Sequence, residues 1–590
     1  MESKWKKLKL IFKTCKKPLK CFIFPLITVP FPLAIGTKAG WCAYVVLYMA
    51  FLWITEAVPL AVTAMIPIFA YPLLGIVKSK DICTEYLTDT NFVFFGSMMM
   101  AIGVETSKLH ERVALRILMM TGTNPRWLLL GFQISTAFIS MWISNTGDAA
   151  MMLPIVVSVI CELDYCRRRQ ENPTELIVKK SITEIDFKTI PKNDSNIYKA
   201  LLLSIAFSAS IGGTGTIIGT GPNLLMKSYL DSNEIGQVTF ANWMVFAVPS
   251  MILMLLFLWI WLQVLFVKCG KKSKEKKLNK MVEKVIKEKY ENLGQIKFNE
   301  KLITVLFLLQ VFLWFFRKPQ IFPGWGDWFP EGYVTDATVA MTLSLILFIL
   351  PSKNPFKIEE NQKNQKIEEN QKNQKIEENQ KNQKIEENSK NPFENEENSK
   401  IEENRKIEEN SKNKNSEIEP IVTWKDMKER FSWGTIILLG GGSAMAKGVQ
   451  DSGLSVFIGE SLSSFSGMPE WAFALIACFL VTLLTEFSSN VATASIFIPL
   501  VASVAKAHGT NPLLYVLPAT LSSSYAFMFP AATPPNAIVF SAGLLKISEL
   551  IKTGFCLNIF GYIMVFTITH SYAPLIFDFQ SPGIGDGSVE

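Results

Sequence analysis

The chain has 590 residues, 49% of them hydrophobic, and a formal net charge of +7, with a mean hydropathy of +0.24. Apolar residues gathered into long blocks between charged runs exclude a soluble globular protein and predict a polytopic membrane protein embedded in a lipid bilayer. The basic surplus lies at the ends of apolar spans, where orientation signals belong, so it indicates no nucleic-acid partner. The nine cysteines have neither metal-ligand spacing nor the pattern of a disulfide framework.

The chain opens on the basic M-E-S-K-W-K-K-L-K, followed by an apolar stretch from Cys21 to Ile35. With no small-residue cleavage site and further spans to come, this reads as a first span with a cytosolic tail rather than a signal peptide. Trp41 to Ile76 is long enough for two spans broken near Pro59. Glu56 lies between them and is expected to be a buried, hydrogen-bonded helix-end carboxylate. Asn91 to Met120 forms another span with its exit. Trp127 to Cys161 could cross once, but the loops at its two ends belong on one side, so its centre is expected at the tip of a re-entrant hairpin. Ala200 to Leu230 carries G-G-T-G-T-I-I-G-T-G-P-N, which cannot form one regular helix and predicts a broken span. Trp243 to Val267 is a clean span, and Lys268 to Lys297 a charged cytosolic helix or linker. Lys301 to Phe316 and Val334 to Pro351 are further spans joined by a Pro- and Trp-rich outer segment.

After Pro351 the nonapeptide K-I-E-E-N-Q-K-N-Q repeats, with Ile358, Ile367, Ile376 and Ile385 as its apolar members. Nine helical steps turn through about 900°, so successive isoleucines would face opposite ways and no apolar stripe forms. The segment to about Pro420 reads as a disordered cytosolic linker. The remaining spans end with one from about Phe555 to Ile576. The histidines, His110, His508 and His570, lie far apart near span ends and are expected to be structural.

The chemistry concentrates in a repeat. Ser140–Pro154, S-M-W-I-S-N-T-G-D-A-A-M-M-L-P, has a twin at a constant offset of 345, Thr485–Pro499, T-E-F-S-S-N-V-A-T-A-S-I-F-I-P, which pairs Ser144 with Ser489 and Asn145 with Asn490. Each is followed by a Pro-Asn segment, T-G-P-N at Thr220 to Asn223 and T-P-P-N at Thr533 to Asn536; the hydrophilic stretch from about Asp164 to Ser195 accounts for the longer spacing in the first half. Polar groups at bilayer depth cost free energy unless paired or lining a cavity, so a cluster that recurs with its partners predicts one central site built by two related halves. Neither segment contains Lys, Arg or His. Hydroxyl, carboxamide and main-chain oxygens suit a hard cation such as Na⁺, while N–H groups at helix starts suit an anion. With no fixed positive charge, a dianion would be held largely by cations beside it, a physical reason for coupled uptake. Glu486, opposite Met141 in the first half, is expected to orient by hydrogen bonding rather than to touch substrate.

These segments, with L-L-G-G-G and S-S-Y-A-F-M-F-P-A-A-T-P-P-N-A-I-V, resemble the divalent anion/sodium symporter family, solute carrier family 13, from about Gly40 to the C-terminus apart from the linker. The resemblance implies an all-α homodimeric transporter with two inverted repeats, about 11 transmembrane helices, two re-entrant hairpins and elevator-type movement. On this reading residues 1–20 are a cytosolic tail. Scaffold spans occupy 21–125, 301–351 and 421–465, and the transport halves 126–267 and 466–577. Cytosolic linkers cover 268–300 and 352–420, and 578–590 form an extracellular tail. One sodium site would use Ser140, Ser144, Asn145 and Gly221, the other Thr485, Ser488, Asn490 and Ala532. Substrate would meet Asn145, Thr146, Ser489, Asn490 and Val491, with Thr220, Thr533 and Pro534 nearby.

The function implied is Na⁺-coupled, electrogenic import of a dicarboxylate such as succinate at the plasma membrane. The alternatives are citrate or sulfate on the same machinery, or a channel; an enzyme is not expected. Family members usually continue S-N-T with A-T-T, where this chain has Gly147, Asp148 and Ala149. Asp148 could ligate a cation, titrate, or disfavour tricarboxylates; its side chain is expected to face cytosolic water beyond the tip.

Overall fold

The computed structural model describes residues 21, 24–122, 124–171, 191–236, 238–267, 275–319, 322–355, 419–463, 469–577 and 579. Among them the regular structure is helical, apart from one isolated antiparallel bridge between Pro351 and Pro420. Seven helices are long and apolar enough to cross a membrane by length and composition. The bodies of the cytosolic tail, the nonapeptide linker and the hydrophilic stretch after Asp164 lie largely outside the described residues, so the expected disorder of the linker does too. The linker's two ends are paired: Ser352 N donates to Glu419 O at 3.0 Å.

The first half opens with α1 (Lys38–Thr55), α2 (Leu60–Thr63) and α3 (Ile66–Leu73). Two full spans were expected here. Instead α1 is long enough and the rest is a short, twice-broken helix, because Pro59 and Pro67 remove main-chain donors. Next come α4 (Asp89–Ser107) and α5 (Leu109–Thr121), separated by Lys108 at φ 63°. The expected single span therefore ends at Ser107, and α5 is a separate helix whose Leu115 and Leu118 are buried while Arg116 is exposed.

Arg112 of α5 is buried and donates from Nε to Glu300 Oε2 at 2.7 Å and from Nη1 to the carbonyl of Gly294 at 3.0 Å. These bonds tie α5 to the junction between α11 (Glu275–Asn292) and α12 (Phe298–Arg317). α13 (Asp336–Ile346) is an 11-residue helix packed on α4. Val334 to Pro351 thus forms a shorter element than the full span expected. All three histidines make local bonds, His110 to Val104 O at 2.9 Å, His508 to Tyr515 Oη at 3.4 Å and His570 to Phe566 O at 2.9 Å.

The central elements form two matching sets. The first comprises α6 (Pro125–Ser140), α7 (Asn145–Glu171), α8 (Lys192–Gly213), α9 (Gly221–Ser232) and the long α10 (Phe240–Phe266). The second follows α14 (Trp433–Asp451) and α15 (Leu454–Ser463) and comprises α16 (Glu470–Thr485), α17 (Asn490–Ala507), α18 (Leu513–Ser523), α19 (Pro534–Phe540) and α20 (Ile547–Ser571). Asn124 and Pro125 start α6: the Asn124 side chain caps Arg126 N and Pro125 supplies a preset φ. At 16 residues α6 and α16 each extend about 24 Å, short of the ~30 Å hydrocarbon core, as a hairpin arm requires. The halves interlock: α7 packs on α19 of the other half, and α17 packs on α9.

Candidate functional site: two hairpin tips facing two helix breaks

Each hairpin turns through four residues, 141–144 in the first and 486–489 in the second, and the helix that leaves the turn begins at an asparagine. In the first half Ser140 Oγ lies 2.7 Å from Asn145 Oδ1 and 2.7 Å from the carbonyl oxygen of Ala209. In the second, Thr485 Oγ1 lies 2.9 Å from Asn490 Oδ1 and 2.6 Å from the carbonyl oxygen of Ser523. A hydroxyl, a carboxamide oxygen and a main-chain oxygen therefore converge twice, at repeat-related positions. Three converging oxygens are the hard-ligand chemistry that suits an alkali cation.

The helix breaks are held open by matching asparagines. Asn223 Nδ2 donates to Thr216 O at 2.7 Å, and Asn536 Nδ2 donates to Ala526 O and Phe529 O at 3.1 Å each. In the first break Thr216 Oγ1 donates to Met141 O at 2.5 Å and Trp243 Nε1 to Thr214 O at 3.2 Å. In the second the Glu486 carboxylate accepts from Phe527 N at 2.7 Å, from Met528 N at 3.0 Å and from Asn558 Nδ2 at 2.6 Å. Glu486 is buried, does not line the cavity, and orients the break. Two glycines leave the room this needs: a Cβ on Gly213 would run into Asn145 Oδ1, and one on Gly221 into Val491 of the opposite tip.

Both tips and both breaks line one cavity of about 550 Å³. Ser144, Asn145, Thr146, Thr220, Gly221, Ser489, Asn490, Val491, Ala532, Thr533 and Pro534 are all on its wall. Ser140, Thr485 and Ser488 are buried away from that wall, and the first two bond the asparagines from behind. α7, α9, α17 and α19 all start at the cavity, so the positive ends of their dipoles favour an anion there, although Pro222, Pro534 and Pro535 offer it no N–H and Gly147 N already donates to Ser144 Oγ at 3.2 Å.

The facing wall was not legible in the sequence. Glu56 and Leu60 at the α1–α2 bend, Phe94, Ser97 and Met98 of α4, and Ser432, Thr435 and Leu438 at the start of α14 complete the lining. α4 and α14 are related at the same offset of 345, Gly96 with Gly441, Met100 with Met445 and Gly103 with Gly448, but the wall positions themselves form no polar cluster and Glu56 and Leu60 have no counterpart in that repeat. The hydroxyl residues of S-W-G-T just before L-L-G-G-G were the available hint. Two expectations are corrected here. Glu56 is exposed to the cavity rather than buried, at φ 45°. Asp148 is 0% exposed, in the first turn of α7, and neither carboxylate oxygen has a hydrogen-bond partner among the described residues. Its side chain does not reach water; α7 packs on α8, α11 and α19.

Two repeat-related hairpins meeting two broken helices at one shared cavity, within an almost wholly helical membrane fold, define a transporter rather than an enzyme. Residues 15–578 match the sodium:sulfate symporter transmembrane region, and the chain belongs to that family. It is 36% identical to the rat Na(+)/citrate cotransporter, over 94% of each chain. It is 40% identical to rat solute carrier family 13 member 2, over 94% of this chain and 92% of that one. With the human Na(+)/dicarboxylate cotransporter 3 the identity is 34%, over 96% and 93%.

Proposed function

We propose that this protein is a Na⁺-coupled, electrogenic importer of dicarboxylates such as succinate at the plasma membrane, with a cytosolic N-terminus and an extracellular C-terminus. The observation that carries the proposal is the pair of oxygen triads, Ser140–Asn145–Ala209 and Thr485–Asn490–Ser523, flanking a cavity into which four helix starts point. One Na⁺ binds at each triad, completed by Ser144 and Gly221 in the first half and by Ser488 and Ala532 in the second. The substrate carboxylates sit between them on Asn145, Thr146, Ser489, Asn490 and Val491, with Thr220, Thr533 and Pro534 closing the sides. No lining residue among those described is cationic, so the bound Na⁺ ions supply the positive charge the anion needs. Each net charge moved across 100 mV adds about 2.3 kcal/mol to accumulation. In a homodimer, the two hairpin halves (126–267 and 466–577) move as the transport domain against the wall that carries Glu56.

The relatives' names include both citrate and dicarboxylate, and Asp148 favours the latter. Its carboxyl stands in the first turn of α7, and when ionised it subtracts from the positive end of the dipole that faces substrate. That deficit grows with substrate charge, so a trianion loses more than a dianion. Asp148→Thr is expected to raise the ratio of citrate to succinate uptake about threefold or more. An unchanged ratio removes Asp148 from the selectivity argument.

Uptake of radiolabelled succinate, citrate and sulfate in the same cells, with Na⁺ or with choline, tests the whole reading. Saturable, Na⁺-dependent succinate accumulation against its gradient is expected. Sulfate uptake in its place changes the substrate, and passive flux indifferent to Na⁺ identifies a channel.

A further inference from the structure

Among the described residues that line the central cavity, one carries a charge, and that charge has the sign of the cargo: Glu56. It lies on the wall facing the hairpin tips, exposed to the cavity, just where α1 ends. Its backbone is left-handed, at φ 45°, a conformation that a non-glycine residue adopts at a cost and that glycine or asparagine would take more readily. The bend is pinned across its two arms, because Trp53 Nε1 donates to Leu60 O at 3.1 Å. The turn by itself thus calls for glycine, yet the chain holds a carboxylate there under strain. Strain kept at a cavity wall points to a role for the side chain itself.

We propose that Glu56 sets the order of loading: its charge draws Na⁺ into the cavity and repels the anion until the cations have arrived. The inference rests on the symport reading above and adds a residue that neither triad contains. The physics is Coulombic and asymmetric. A fixed negative charge on the far wall raises the local concentration of small cations and lowers that of a dianion twice as steeply on a logarithmic scale. An empty cavity with no cationic side chain and one carboxylate is hostile to an anion. Once Na⁺ occupies the tips, the helix starts and the ions together outweigh Glu56. Uncoupled passage of the anion is thereby suppressed without any moving part.

Removing the charge must move the two ligands in opposite directions. In Glu56→Gln, which keeps the side-chain shape and the strained backbone, the succinate KM at saturating Na⁺ is expected to fall about threefold or more. The half-saturating Na⁺ concentration at saturating succinate should rise by about twofold or more. Both shifts should shrink when N-methylglucamine chloride raises the ionic strength, since exposed charges are screened. Glu56→Asp should resemble wild type. Glu56→Gly, which removes the same charge while relieving the backbone, should reproduce the Gln result and serves if the Gln variant fails to reach the membrane. Constants that stay within error, or that move in the same direction in Gln and Gly variants delivered to the surface, overturn the proposal. Wild-type uptake indifferent to Na⁺ would instead overturn the symport reading, so the two failures are distinguishable.

Discussion

Asn145→Ala and Asn490→Ala are each expected to reduce Na⁺-dependent uptake about 100-fold or more at unchanged surface density. Each asparagine starts its helix at the cavity and aims its carboxamide oxygen at a hydroxyl, Ser140 Oγ at 2.7 Å or Thr485 Oγ1 at 2.9 Å. Truncation removes one member of an oxygen triad and a cavity-facing donor together. A hydrogen bond to a charged substrate is worth about 1.5–3 kcal/mol, and the oxygen that ligates the cation is lost with it, which together give the expected reduction. The check is initial-rate uptake against Na⁺ concentration, normalised to biotinylated surface protein. Either variant within twofold of wild type would remove its triad from the cation sites. Ser140→Ala and Thr485→Val give the finer reading. They leave the substrate-facing amide in place, so their main effect should fall on the half-saturating Na⁺ concentration rather than on maximal uptake.

Glu486→Gln is the second change with a large expected effect, and it acts on the framework. The carboxylate accepts from Phe527 N, from Met528 N on both oxygens, and from Asn558 Nδ2, all within the buried region behind the second helix break. A carboxamide offers one acceptor oxygen where two are used, and its amino group would confront main-chain N–H groups. The cost of leaving buried donors unpaired is about 2–4 kcal/mol. A lower unfolding temperature in detergent together with lost transport is the expected result, and an unshifted midpoint with normal uptake would refute it. The repeat offers a control. At the position equivalent to Glu486 the first half has Met141, whose carbonyl accepts from Thr216 Oγ1 and whose break is also held by Trp243. Thr216→Val should therefore weaken the first break by about 1–2 kcal/mol, a smaller loss because only neutral hydrogen bonds are at stake, one to Met141 O and one from Gly219 N.

Asp148 and Glu56 show how two acidic residues in similarly apolar stretches can differ. One lies on the packed face of a hairpin helix, while the other is held at a helix end facing the cavity. The sequence alone points each to the other's environment, since periodicity in a nearly all-apolar helix does not say which face meets protein. Trp41 to Ile76 and Val334 to Pro351 were over-read for a related reason. Apolar content was counted as span length, whereas α2, α3 and α13 break or stop early.

By itself the sequence determined the helical membrane class, the two halves, the hairpin tips at Ser-Asn and the helix breaks at Gly-Pro-Asn and Pro-Pro-Asn. Those features are local: a span is a length of apolar residues, a break is a Gly or Pro, and a repeat is visible at a fixed offset. The third member of each triad was not legible, because it is a main-chain oxygen, of Ala209 or Ser523, and every residue has one. Nor could the approach of Gly221 to Val491 be read, since it joins residues from opposite halves and depends on how α9 packs against α17. The wall that carries Glu56, Ser97 and Thr435 was likewise decided by tertiary structure. Its residues come from three separate elements, of which α4 and α14 are repeat-related but place different residue types on the wall, and only packing brings their side chains to one side of a 550 Å³ cavity.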